Sequence, residues 1–122
     1  MHLLPIRLYG IDAPEAKQTC QGAGNVTYLC GAEATKVLRD ATRGQAVRCE
    51  PKDRDKYGRT VAICWAGPID LNRMMVKQGW AVAYRHYSER YVPDEDTARR
   101  ERLGIWSGKF EPPAEWRRGR QR

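Results

Sequence analysis

The sequence predicts one small α+β domain, and three features carry that prediction. Ile6 and Leu8 alternate with Arg7 and Tyr9, the period-two pattern of a half-buried strand. Between Gly31 and Thr42, apolar residues fall at Ala34, Val37, Leu38 and Ala41, the spacing of one helix face. The 122 residues, 41% hydrophobic and 30% charged, suffice for one modest core but not for two, and exclude wholesale disorder.

The elements follow in order. After the first strand, Gly10 to Pro14 breaks the alternation, and Lys17 to Tyr28, with two glycines and no periodicity, reads as a loop. The helix from Gly31 to Thr42 stops near Gly44. Ala46–Pro51 and Arg59–Trp65 read as a hairpin, with Asp55 first and Gly58 fourth in a type I turn closed by a glycine bulge. Asp70 can cap a helix carrying Leu71, Met74 and Met75, with Gly79 as its stop. Trp80 to Tyr84 reads as a short strand. Asp94 or Asp96 is the expected cap of a last helix ending near Gly104, after which Ile105 and Trp106 fold back onto the core. From Lys109 onward, Pro112, Pro113 and the basic run Arg117–Arg122 read as a weakly ordered tail. No repeat appears.

A net charge of +7 suits polyanionic partners such as nucleic acid or anionic lipid. No apolar stretch approaches the roughly 20 residues that span a bilayer, and Met1–Pro5 is too short for a signal peptide. Four cysteines fit two disulfides in any of three connectivities. Cys20 and Cys30 bracket a loop that a local staple would close; Cys49 and Cys64 flank the hairpin almost symmetrically. A bulge in the turn would shift that register and point one thiol away. Two disulfides would mean an oxidising compartment, periplasmic or extracellular; four reduced thiols are the alternative, and zinc is disfavoured by the lack of a C-x-x-C pair.

Chemistry concentrates in two strings, Ile6 to Glu15 and Asp55 to Arg59, which set arginines and carboxylates at turns beside strands. Carboxylates can hold a hard metal and activate water, while guanidinium forks neutralise phosphate oxygens. Together they suit phosphodiester hydrolysis. Singly, each residue has a structural role available: Arg7 as an edge-strand charge, Asp12 and Glu15 as a capping pair, Asp55–Arg59 as a turn.

In order, these motifs resemble the staphylococcal (thermo)nuclease family. The residues that carry the resemblance are Arg7-x-x-x-x-Asp12-x-Pro14-Glu15, then a helix, then Asp55-Lys56-Tyr57-Gly58-Arg59, Leu71-Asn72, Gly79-Trp80-Ala81 and Gly104-Ile105-Trp106-Ser107. The resemblance implies an OB-like five-stranded barrel with three packed helices over residues 1–108, followed by a Pro/Arg-rich tail at 109–122. It implies a Ca2+-dependent nuclease acting on DNA and RNA. Arg7 and Arg59 would hold the scissile phosphate and Glu15 would orient or deprotonate the attacking water. Asp12 and the carbonyl of Ala13 would ligate calcium, and Tyr84 would lie near the nucleotide. The family's Asp-Gly-Asp-Thr turn has no counterpart before Arg7. A weakened calcium site and sheet edges that a homodimer could pair are therefore expected. The alternative is a catalytically inactive OB-like module that binds nucleic acid or protein.

Overall fold

A computed structural model describes residues 6–120; the reading of Met1–Pro5 and the last two residues of the basic run lie outside them. The strands are β1 (Ile6–Leu8), β2 (Ile11–Asp12), β3 (Cys20–Gln21), β4 (Thr27–Tyr28), β5 (Val47–Arg54), β6 (Thr60–Ala66), β7 (Ile69–Asp70) and β8 (Val82–Ala83). The helices are α1 (Cys30–Thr42), α2 (Leu71–Lys77), α3 (Val92–Arg100) and α4 (Pro113–Arg120).

The central strand is β6, whose residues Val61 to Cys64 are all buried. It pairs with β1 in parallel, Arg7 beside Val61, and with β5 antiparallel. The β5–β6 connection is the turn that the sequence predicts. The Gly58 amide donates to the Asp55 carbonyl at 3.0 Å, the Asp55 amide to the Arg59 carbonyl at 2.9 Å, and Gly58 takes a φ of +84°. That left-handed conformation is what a glycine bulge requires. A register shift does occur, between Pro51 and Asp53, and it is what sets Cys49 opposite Cys64: carried on unbroken from Arg54 opposite Thr60 and Asp53 opposite Val61, the register would place Cys49 opposite Trp65. Both disulfides form, Cys49–Cys64 across the hairpin and Cys20–Cys30 around the loop.

Helices α1 and α2 cover the sheet. Ala34 and Leu38 of α1, and Leu71, Met75 and Val76 of α2, join Ile11, Ala62, Cys64 and Tyr91 in one core cluster. Each large apolar side chain fully buried there stabilises the fold by roughly 1.5–3 kcal/mol. Asn72 is the polar pin of this core. Its amide donates to the Tyr9 and Ala62 carbonyls and its oxygen accepts from the Cys64 amide, tying β1, β6 and α2 together. A second cluster gathers Cys20, Cys30 and Ile105, with Trp80, Trp106 and Phe110 packed on it.

Three expectations are corrected, and a fourth finds no support. The strands form three separate ladders, β1–β6–β5 with β7, β2–β8, and β3–β4; among the described residues they do not close into a barrel, and the fold seen is a mixed α+β domain. The last-but-one helix starts at Val92, before both expected caps, because Pro93 in its first turn pre-sets the helical φ; Asp94 instead accepts from Arg73. The segment read as a weakly ordered tail contains α4, a fourth helix beside the three expected. The expected homodimer finds no support, and the edge strand β5 carries Arg48, Glu50, Lys52, Asp53 and Arg54 around Pro51, a composition that resists edge pairing on that side.

Candidate active site

The site is built on the turn between β1 and β2. Gly10 takes a φ of +75°, and a Cβ there would stand 3.0 Å from the ring of buried Tyr91, so both backbone and space call for glycine. Past this turn, Asp12 pairs with Val82 on β8, and the Tyr84 amide donates to the Gly10 carbonyl at 2.8 Å. β8 is itself held from beneath. Buried Glu95 accepts from the Ala83 amide at 2.9 Å and from Arg85 at 3.0 Å. The result brings two expected site residues together: the Arg7 guanidinium lies 5.9 Å from the centre of the Tyr84 ring, within cation–π range. Tyr87 packs beside Tyr84, their rings 5.3 Å apart.

Arg59 enters from the hairpin. It stands two residues before Val61, the register partner of Arg7, so it lies just ahead of the strand that pairs with β1. Its own turn fixes it: Nε donates to Asp55 Oδ2 at 2.7 Å, while Asp55 Oδ1 accepts the Tyr57 and Arg59 amides at 2.9 Å each. Burial pushes the Asp55 carboxyl up, but the backbone and side-chain hydrogen bonds from Arg59, joined by Tyr57, outweigh it and hold it below its usual range. Among the described residues, Arg59 makes no hydrogen bond to Asp12 or Glu15.

Asp12 and Glu15 meet, and what joins them is a residue absent from the expected set. Arg117 of α4 grips Asp12 with both terminal nitrogens, Nη1 to Oδ1 and Nη2 to Oδ2 at 2.9 Å each, and its Nη1 lies 3.4 Å from Glu15 Oε2. Asp12 is only 5% exposed. A carboxylate so buried needs a cationic partner, and the bidentate fork supplies one. The two hydrogen bonds to Asp12 push the Arg117 pKa above its ordinary value, against the pull of burial.

Two more residues set this geometry. Gln18, fully buried, accepts the Glu15 amide on Oε1 at 3.2 Å and donates from Nε2 to the Glu111 carbonyl at 2.7 Å. It thus couples the Glu15 loop to the segment leading into α4. Gly31, in the first turn of α1, sits against the Glu15 backbone: a Cβ would fall 1.7 Å from its carbonyl oxygen. Neither Gln18 nor Gly31 carries a signal in the sequence, because each acts through a contact its neighbours do not announce. Arg117 does carry one. Pro113 at the first helical position, Glu115 in the first turn and arginines in the last form a helix signature, which marks the segment as more than a tail.

The donor set suits a hard cation. Two carboxylates, one nearly buried, already converge on a positive group, which is the environment a divalent ion would require. Asp12 is the side chain that would hold it, with Glu15 converging beyond Ala13, which is half-buried against the core. Among the described residues no group of three or more His, Cys, Asp or Glu is assembled, so protein carboxylates alone would form a partial coordination shell completed by carbonyl and water oxygens.

Comparison with known proteins agrees with these motifs. The micrococcal nuclease of Shigella flexneri is 35% identical, over 93% of this chain and 67% of that protein. An uncharacterized endonuclease of Haemophilus influenzae is 33% identical, over 94% of this chain and 61% of that protein. The succinoglycan biosynthesis protein ExoI of Rhizobium meliloti is 34% identical, over 94% of this chain and 62% of that protein. The chain therefore spans about three-fifths to two-thirds of the length of these curated relatives. The sequence model described as "Staphylococcal nuclease homologue" matches residues 5–108, and the chain belongs to that family.

Proposed function

We propose that the chain is a Ca2+-dependent nuclease that hydrolyses phosphodiester bonds in DNA and RNA. The observation that carries this reading is the convergence of Asp12 and Glu15 on one cation, on the turn that follows Arg7. Relatives named as nuclease and endonuclease point the same way. Water attack on a phosphodiester adds negative charge to the phosphoryl oxygens, and fixed cations that meet that charge usually contribute more to catalysis than any other single effect. Arg7 and Arg59 serve this purpose, each steadied by its own neighbour, Tyr84 or Asp55. Glu15, the more exposed of the two carboxylates, orients the attacking water and takes its proton. When bound at Asp12 and the Ala13 carbonyl, calcium would add charge neutralisation and a more acidic water. Tyr84 lines the nucleotide side, and an OB-like platform and an oxidising, exported setting that suits two disulfides belong to the same reading.

A second reading has one observation in its favour. Arg117 fills the carboxylate that the metal needs, as it would in a catalytically inactive module that only binds nucleic acid or protein. Cleavage of labelled single-stranded DNA, duplex DNA and RNA by wild type and Glu15→Gln separates the two. The nuclease reading expects wild-type cleavage and a loss of about 100-fold or more in Glu15→Gln with binding kept. Equal rates would remove Glu15 from the chemistry. Binding that weakens steeply with salt, without cleavage, would establish the second reading.

A further inference from the structure

We propose that Arg117 is the resident occupant of the metal position, so that α4 closes the site until a divalent ion displaces it from Asp12. The inference rests on the metal reading above and adds the regulation of that same site.

Three features of the structure support it. The first is direct competition. Arg117 engages both Asp12 oxygens at 2.9 Å, whereas calcium takes carboxylate oxygens at roughly 2.3–2.6 Å. Ion and guanidinium would use the same lone pairs, and two positive groups side by side in a half-buried site repel. The second is continuity of charge. Asp12 is too buried to stand unpaired, so a built-in cation keeps the fold intact before metal arrives, and the exchange of one cation for the other never leaves the carboxylate bare.

The third is the way α4 is attached. Its approach is anchored: Gln21 and Lys109 exchange backbone hydrogen bonds at 2.8 and 2.9 Å, Gln18 holds the Glu111 carbonyl, and Pro113 is buried. Beyond Pro113 the hold is slight. Arg118 and Arg120 make only loose pairs, each 3.9 Å from its glutamate and well exposed, which contribute little. Arg117 is thus the main polar latch of the helix body. The helix also lies beyond the residues matched by the family model, 5–108.

A site open only part of the time shows an affinity reduced by its open fraction. The test is Ca2+ titration by calorimetry on the full chain, comparing wild type, Arg117→Gln, Arg118→Ala and Asp12→Asn. Arg118→Ala removes the same charge one residue away, from a side chain that does not touch Asp12. The proposal expects Arg117→Gln to bind calcium about tenfold or more tightly than wild type. Arg118→Ala should match wild type and Asp12→Asn should lose binding. It also expects calcium to speed amide hydrogen exchange across 113–120 in wild type. Equal affinity in wild type and Arg117→Gln, with binding lost in Asp12→Asn, would overturn the latch and leave the metal site standing. Absence of calcium binding in wild type and Arg117→Gln alike, both shown folded by circular dichroism, would overturn the metal reading and the latch with it.

Discussion

Two Asp–Arg pairs flank the candidate site, and they use the same chemistry to opposite ends. Asp55 and Arg59 are four residues apart within one turn; Asp12 and Arg117 are 105 apart. Both aspartates are almost buried, at 3% and 5% side-chain exposure, and both arginines are about a third exposed or less. The difference lies in what else holds each carboxylate. Asp55 also accepts two backbone amides, so removing Arg59 would leave the turn still tied together. Asp12 has Arg117 and, among the described residues, no other hydrogen-bond donor to its carboxylate. A carboxylate woven into backbone is scaffold. One held by a single side chain from a distant helix is exchangeable, and exchangeability is what a metal ligand needs.

The largest expected effect breaks the distant side of this comparison. In Gly31→Ala the new methyl group would collide with the Glu15 carbonyl, and backbone rather than a flexible side chain would have to move. A stability loss of about 3 kcal/mol is expected in chemical denaturation, with cleavage falling more than the folded fraction does. A stable, fully active Gly31→Ala protein would show that α1 does not position Glu15.

A smaller effect sharpens the local side. The Asp55 carboxyl is held below its usual range in the folded state, so its contribution is complete above about pH 4 and disappears as pH falls through the lowered folded value. Thermal melts of wild type and Asp55→Asn should therefore differ at pH 6 and converge as the pH falls below the ordinary carboxylate range. A gap that stays constant over that range would mean that the charge of Asp55 does not stabilise the turn.

The same contrast explains what is legible in the sequence. The turn at Asp55–Arg59, the α1 face at Ala34 and Leu38, and the Asp70 cap, which accepts from the Arg73 amide at 3.0 Å, are written in neighbouring residues. Local rules recover them, and the family motifs single out Arg7, Asp12, Glu15, Arg59 and Tyr84. The Cys49–Cys64 pairing stays open in the sequence because it depends on a bulge between the turn and the pair, which the neighbouring residues do not announce. What stays hidden depends on contacts between distant segments: Gln18 joining Glu15 to Glu111, Gly31 seated on Glu15, and Arg117 reaching Asp12. The starts of α3 and α4 escape the sequence reading for one shared reason. Each helix opens with proline in its first turn, and proline there starts a helix rather than interrupting one.

The measurement that tests the account most directly is cleavage of a single-stranded DNA oligonucleotide by the 122-residue chain, in Ca2+ and in chelator, beside Arg59→Ala. The account predicts cleavage in calcium, none in chelator, and a loss of about 100-fold or more in Arg59→Ala, the arginine proposed to meet the charge that builds on the phosphoryl oxygens. Cleavage that persists in chelator, or an Arg59→Ala protein as fast as wild type, would contradict a metal-dependent phosphodiesterase centred on these residues.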